Sequence, residues 1–185
     1  MERNTLVMVH AFLRRHVQPG ATCIDATAGR GRDTALLCRL AGPEGRVLAF
    51  DIQQFALDQT AALLESEGLR AELHLESHEH MADHVAAGSV DCVVFNFGRL
   101  PGGDPTIMTR AESSVAAVER ALELLKPGGV MALAIYYGGA NGYAERDALL
   151  EYLRGVDGSR YSVLLCDWCN RRNDPPIAVF VWRER

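Results

Sequence analysis

Residues 21–53 read ATCIDATAGRGRDTALLCRLAGPEGRVLAFDIQ, and the order of apolar and glycine positions in this stretch decides the fold. A short buried strand, residues 21–25, ends on Asp25 and runs into a turn whose Gly29 and Gly31 free the backbone for positive φ. A helix over residues 32–40 follows. Gly42, Pro43 and Gly45 break it, and residues 46–50 form a second strand with Asp51 at its tip. Strand, glycine loop, helix and strand in that order form a βαβ unit, and ligands of such units sit beyond the carboxyl ends of the strands.

Working outward, residues 6–16 are expected to form a helix before this unit, and residues 53–67 a helix closed by Gly68. Residues 71–75 read as a third strand, 78–87 as helical and 90–95 (VDCVVF) as a fourth strand, apolar enough to be covered on both faces. A glycine- and proline-rich loop, 98–105, precedes a helix at 109–125; LKPGG then turns into a fifth strand at 130–136. A helix at 143–153 and strands at 161–166 and 177–182 complete the chain. The last two strands are joined by only ten residues, too few for a crossover helix, so they should pair antiparallel. The expectation is an α/β fold in one domain, residues 1–185: a mostly parallel seven-stranded sheet with an antiparallel C-terminal strand and helices on both faces.

Composition narrows the function. With 48% hydrophobic and 23% charged residues, the chain is too apolar for disorder. A net charge of −5 provides no global field for nucleic acid, so an RNA partner requires a local patch. The charge is uneven: residues 58–91 carry eight acids against Arg70, whereas residues 1–32 carry five arginines against Glu2 and Asp25. Arg14, Arg15, Arg30, Arg32, Arg99, Arg110, Arg171 and Arg172 fall on the first helix and the ligand-side loops, which predicts a positive track there. The start lacks the pattern of a secretory signal and no apolar run approaches the ~18 residues of a membrane span, which predicts a cytoplasmic protein. Five cysteines are an odd count that reads as reduced thiols, and the Cys166/Cys169 pair lacks the second ligand pair of a structural zinc site.

The glycine loop carries the chemistry. Asp25 suits a cationic amine, the loop and the following helix N-terminus suit a carboxylate, and Asp51 suits both hydroxyls of a ribose. Thr34 stands where a dinucleotide fingerprint has its third glycine, which disfavours a pyrophosphate ligand.

At this point the sequence resembles the class I S-adenosylmethionine-dependent methyltransferases: DATAGRGRD (25–33) is like their first motif, FDIQ (50–53) like their second, and LLKPGG (124–129) like the turn before their fifth strand. The resemblance implies that Asp25, Gly29 and Gly31 hold the methionine end of S-adenosylmethionine, Asp51 the ribose, and Ser77 with His78 the adenine edge. Thr27, Arg30, Asp33, Gln53 and Asn96 are further expected cofactor-binding residues.

A narrower resemblance covers nearly the whole chain. SHEH (77–80), NFGRLPGGD (96–104) and NRRNDPP (170–176) are similar to blocks of the YtqB-like rRNA methylase family, also called MnmM. Its members methylate the 5-aminomethyl group of 2-thiouridine at the tRNA wobble position. That resemblance implies a tRNA anticodon loop as partner and a homodimer that widens a small substrate surface. Asn96 and Tyr136 are the expected catalytic residues, with Asn96 and the backbone of Phe97 and Gly98 accepting hydrogen bonds from the amine. Phe97, Tyr136 and Tyr137 are expected to stack a splayed base, and Asn170, Arg171, Asn173 and Pro175 to contact RNA. The sequence departs from the family at Tyr137 and Gly139, where histidines often stand, and at Arg30, where asparagine is common. Alternatives are an rRNA or small-amine methyltransferase using the same pocket, or a non-catalytic nucleotide- or RNA-binding module. His74, His78, His80 and His84 invite a metal, but the alternation of His78 with His80 and the absence of a nearby cysteine argue for none.

Overall fold

The computed structural model describes residues 4–100, 102, 109–138 and 142–185. Pro101, Gly103, Asp104 and Gly139, part of the motifs above, lie outside them. Thr22–Asp25 forms β1 and Arg46–Asp51 forms β2, a parallel pair joined by α2, Arg32–Ala41. Outward from β2 lies β3, Glu72–Leu75, reached through α3, Gln54–Ser66. On the other side β4, Val90–Phe97, pairs parallel with β1, and β5, Leu125–Ile135, with β4. The last strand, β7 (Ile177–Arg183), inserts antiparallel between β5 and β6 (Tyr161–Cys166), giving the sheet order β3-β2-β1-β4-β5-β7-β6. The seven-stranded, mostly parallel sheet with antiparallel pairing at its C-terminal end is as the sequence predicts.

Both faces are covered. Val9 and Leu13 of α1 (Thr5–His16), with Ala35, Leu37 and Cys38 of α2, pack on Cys23, Cys92, Val94 and Phe180. Val118 and Leu122 of α4 (Ala111–Leu124), with Leu149 and Leu153 of α5 (Gly142–Arg154), pack on Ile24, Phe95, Met131 and Val179 of the opposite face. Two-sided burial explains the unbroken apolar runs of the central strands.

Three local expectations change. The 78–87 segment is a short 3-10 turn, His78–Asp83, rather than an α-helix; Ser77 Oγ caps it through the Glu79 N–H at 3.4 Å. Strand β5 starts earlier, with Val90 opposite Leu125 and Cys92 opposite Val130, so the KPGG residues bulge out of the ladder instead of preceding the strand. Strand β4 runs on to Phe97, and this sets side-chain parity at the site.

Candidate functional site

A cavity of about 1040 Å³ opens beyond the carboxyl ends of β1, β2, β4 and β5. Its size is at the top of the ~300–1,000 Å³ range of ligand pockets, enough for a cofactor with a second molecule beside it. Thr27, Gly29, Arg30, Asp33, Asp51, Gln53, Ser77, His78, Asn96, Phe97, Gly98 and Tyr136 all line it, so the chain brings most of the expected residues to one place.

The glycine loop is shaped by backbone bonds. The Ala26 N–H donates to Val94 O and the Ala28 N–H to Phe50 O, both at 2.9 Å, which ties the loop to the neighbouring strand tips. Gly29 and Gly31 both have positive φ, and a Cβ on Gly31 would lie 2.8 Å from the Thr60 backbone of α3. Gly31 therefore serves close helix packing and is not on the cavity wall. Asp51 accepts from the Gly29 N–H at 3.0 Å and the Gln53 N–H at 2.9 Å, so it braces the loop while facing the cavity. Burial raises its pKa, and these backbone donors oppose the rise.

Asp25 is placed differently from the expectation. It is 0% exposed and absent from the cavity lining, with its carboxylate accepting from the Thr34 hydroxyl at 2.6 Å and the Thr27 N–H at 3.2 Å. Burial, with the nearby Asp33 charge adding to it, pushes its pKa up to about 7. It supports the loop from behind. The carboxylate that reaches the cavity is Asp33, in the first turn of α2, held by His10 at 2.5 Å and by the Asn96 side-chain N–H at 2.5 Å. With Asn96 Nδ2 engaged, its Oδ1 is buried and has no hydrogen-bond partner among the described residues. The Asn96 backbone N–H donates to Thr27 Oγ1 at 2.7 Å, which fixes β4 against the loop.

On the substrate side, strand parity overrules the expected base stack. Phe97 is 0% exposed because its side chain points to the same core face as Phe95, on which it stacks at 4.8 Å. Tyr137 is likewise a core residue, edge-on to Tyr143 at 5.7 Å and beneath the Arg146 guanidinium at 4.7 Å. Tyr136 is the aromatic that reaches the cavity, at 38% exposed; partial burial and the Asp33 charge raise its pKa. The backbone carbonyls expected to meet an amine are already used, since Phe97 O accepts from the Tyr136 N–H at 3.0 Å and Gly98 O from the Thr109 N–H at 3.1 Å. Asn96 Oδ1 remains.

Tyr136 also borders a second pocket of about 240 Å³, lined by Thr5, Leu6, Trp168, Arg171, Pro175 and Pro176 among others. The Arg171 guanidinium lies 3.6 Å over the Trp168 ring, and Trp168 Nε1–H donates to Thr5 Oγ1 at 3.2 Å. Asn170 and Asn173 line neither pocket and are exposed on the same turn. Asn173 and Asp174 both adopt left-handed φ, of 66° and 50°, ahead of the two prolines.

His78 packs edge-on to Phe95 and Phe97, its Nδ1 lies 3.2 Å from Ala26 O, and burial lowers its pKa. His10, Trp168 and Glu145 are site residues that sequence reasoning missed. Glu145 lines the cavity and accepts from the Ser114 hydroxyl at 2.5 Å; burial raises its pKa. His10 lies 23 residues from Asp33, and no spacing rule joins a preceding helix to the glycine loop. The donor set fits S-adenosylmethionine: Asp51 matches a diol, and Asp33 matches an ammonium. The α2 N-terminus behind Gly31 matches a carboxylate.

Comparison with known proteins agrees. The family described as "Putative rRNA methylase" matches residues 47–182. A chloroplastic tRNA (mnm(5)s(2)U34)-methyltransferase of Arabidopsis thaliana is 31% identical over 96% of this chain and 68% of its own. A "putative rRNA-methylase" from Clostridium thermocellum superposes with a TM-score of 0.96 at 39% identity, covering 99% of both chains. SMU.1697c, a "putative methyltransferase" from Streptococcus mutans in complex with SAH, gives 0.90 at 32% identity over 99% of both chains. This chain belongs to the rRNA methylase family of S-adenosylmethionine-dependent methyltransferases.

Proposed function

We propose that the protein methylates the amine of 5-aminomethyl-2-thiouridine at the wobble position of tRNA, giving 5-methylaminomethyl-2-thiouridine. The observation that carries this reading is Asn96, which lines a cavity that shares Tyr136 with the neighbouring pocket and whose Oδ1 has no hydrogen-bond partner among the described residues. S-adenosylmethionine bound here supplies a methyl group on a sulfonium, the electrophile of an in-line displacement. Asp33 orients Asn96 through Nδ2, so that Oδ1 accepts an N–H from the neutral amine and turns its lone pair toward the cofactor. Tyr136 lies against the base, and Trp168, Arg171 and Pro175 seat the adjoining nucleotide. Arg30, Arg32, Arg99 and Arg110 on the cavity rim and Arg171 at the second pocket give phosphates a local partner despite the net charge of −5.

The Arabidopsis relative named for this tRNA position aligns over 96% of the chain. A ribosomal RNA small subunit methyltransferase H of Symbiobacterium thermophilum aligns over only 44%, at 34% identity and across 27% of that protein. A homodimer and a cytoplasmic location belong to the same reading. Strand β6 at the sheet edge leaves Val163, Leu164 and Leu165 exposed for a second copy, and the five cysteines are free thiols. Among the described residues no helix is long and apolar enough to cross a membrane.

The test is incubation of the protein and S-adenosylmethionine with tRNA bearing the unmethylated aminomethyl group, followed by nucleoside mass analysis. Conversion to the methylaminomethyl nucleoside is expected, and in Asn96→Ala a loss of conversion much larger than the loss of S-adenosylhomocysteine affinity. An unchanged nucleoside beside methylated rRNA from the same extract would reject the tRNA assignment.

A further inference from the structure

We propose that His74, Glu76 and His84 form a binding site for one divalent metal ion of the zinc class. This site is separate from the methyl-transfer chemistry and does not rest on the tRNA assignment. His74 is on β3, Glu76 follows the strand, and His84 caps the far end of the 3-10 turn, so the chain folds back on itself to bring the three together. One ligand atom from each residue lies within 4.8 Å of the other two, and among the described residues no other such group of histidine, cysteine or acidic side chains occurs. Glu76 Oε1 is 2.6 Å from His84 Nε2 and 3.5 Å from His74 Nδ1, and the two imidazole rings are 4.0 Å apart. An ion with bonds of ~2.0–2.1 Å in tetrahedral geometry sets its ligand atoms about 3.3 Å apart. The His74 distance already suits this. The His84 contact widens when an ion replaces the hydrogen bond.

The surroundings are those of an oriented ligand. Phe50 stacks on the His74 ring at 4.7 Å and 14°, fixing its plane. Behind the ring, Glu72 Oε2 stands 3.9 Å from Nε2, and Arg46 grips Glu72 through two bonds of 2.7 and 2.8 Å. At 3.9 Å this is not a hydrogen bond, and a small turn of the ring would bring Nε2–H to the carboxylate, the usual outer partner of a metal-bound histidine. Among the described residues His74 Nε2 is otherwise buried without a hydrogen-bond partner. Two imidazoles and one carboxylate, with no thiolate, select zinc, cobalt or nickel over magnesium or calcium, which take oxygen sets. Glu76, Ser77 and His78 border the large cavity, so an ion here would lock the segment that closes one side of it.

The experiment is a Co²⁺ titration of the full chain carrying Cys166→Ser and Cys169→Ser, which removes the accessible thiols as rival ligands. The expected result is one Co²⁺ per chain, visible absorption bands of a nitrogen–oxygen site, and their loss on adding Zn²⁺. His84→Gln, which keeps a polar group beside Glu76, and Glu76→Gln should each abolish the bands. Glu72→Gln should weaken binding about 10–100-fold, and His80→Gln, at the exposed neighbour, should leave it intact. Circular dichroism of the metal-free variants reports whether each is folded. Absence of bands in the parent chain, a stoichiometry other than one, or bands that survive in folded His84→Gln and Glu76→Gln would overturn the proposal.

Discussion

A carboxyl with no exposure, as at Asp25, makes stability depend on pH. It ionises near 3.8 in an unfolded chain and near 7 in the fold, so the native state holds the proton more tightly across that interval. The stabilisation is complete below about pH 4 and is lost as pH rises to about 7. Denaturant midpoints of the wild type should therefore fall between pH 5 and pH 8, and Asp25→Asn should flatten that fall and be the more stable protein at pH 8. Asp51 makes a second prediction, because its two oxygens brace the loop and face the cavity. Asp51→Ala should weaken S-adenosylhomocysteine binding at least about a hundredfold by calorimetry, since each hydrogen bond to a charged acceptor contributes ~1.5–3 kcal/mol. At this scale the sequence shows residue types but not directions. DATAGRGRD contains both Asp25 and Asp33, and only the turn of the loop decides which one is hidden. Phe97 and Tyr137 read as ready aromatics, yet one further residue pair in β4 and the position of Tyr137 beside Tyr143 turn both inward.

The elements were legible where periodicity is long and punctuation strong. Glycines bound α2 at both ends and follow α3 at its C-terminal end, and Gly31 shows why the punctuation is strict. Gly31→Ala would need a left-handed φ of 75° and place its Cβ 2.8 Å from the Thr60 backbone, so α2 and α3 would have to part. A loss of about 2–4 kcal/mol is expected in chemical denaturation, with weaker cofactor binding in the fraction that folds. The 78–83 turn and the bulge in β5 were not legible, because a few polar residues fit a 3-10 turn as well as an α-helix and a bulge depends on the partner strand. Nor does any local pattern reveal that α1 carries a residue of the site. His10→Ala, which removes the 2.5 Å contact to Asp33, should raise the KM for S-adenosylmethionine several-fold while leaving the melting temperature nearly unchanged.

Across the whole molecule, charge and edges decide what partners do. Arginines at the cavity rim coexist with a net charge of −5, so RNA affinity should be steep in salt although the protein as a whole is acidic. Arg110→Ala with Arg171→Ala should reduce the slope of log K against log salt by about 1–2 in a tRNA binding assay. At the other end of the sheet, sedimentation should give twice the 20.3 kDa chain mass, and Leu164→Lys on β6 should return it to the single-chain value. The termini meet inside this architecture. Thr5 Oγ1 donates to Pro176 O at 2.5 Å, Phe12 stacks on Phe180 at 4.4 Å, and His10 in the same helix holds Asp33. Helix α1 therefore rests on β5 and β7 at once, and the strand that reverses the sheet is also a wall for the helix that holds Asp33. A disturbance of β7, far along the chain from the glycine loop, thus reaches the Asp33 carboxylate through α1.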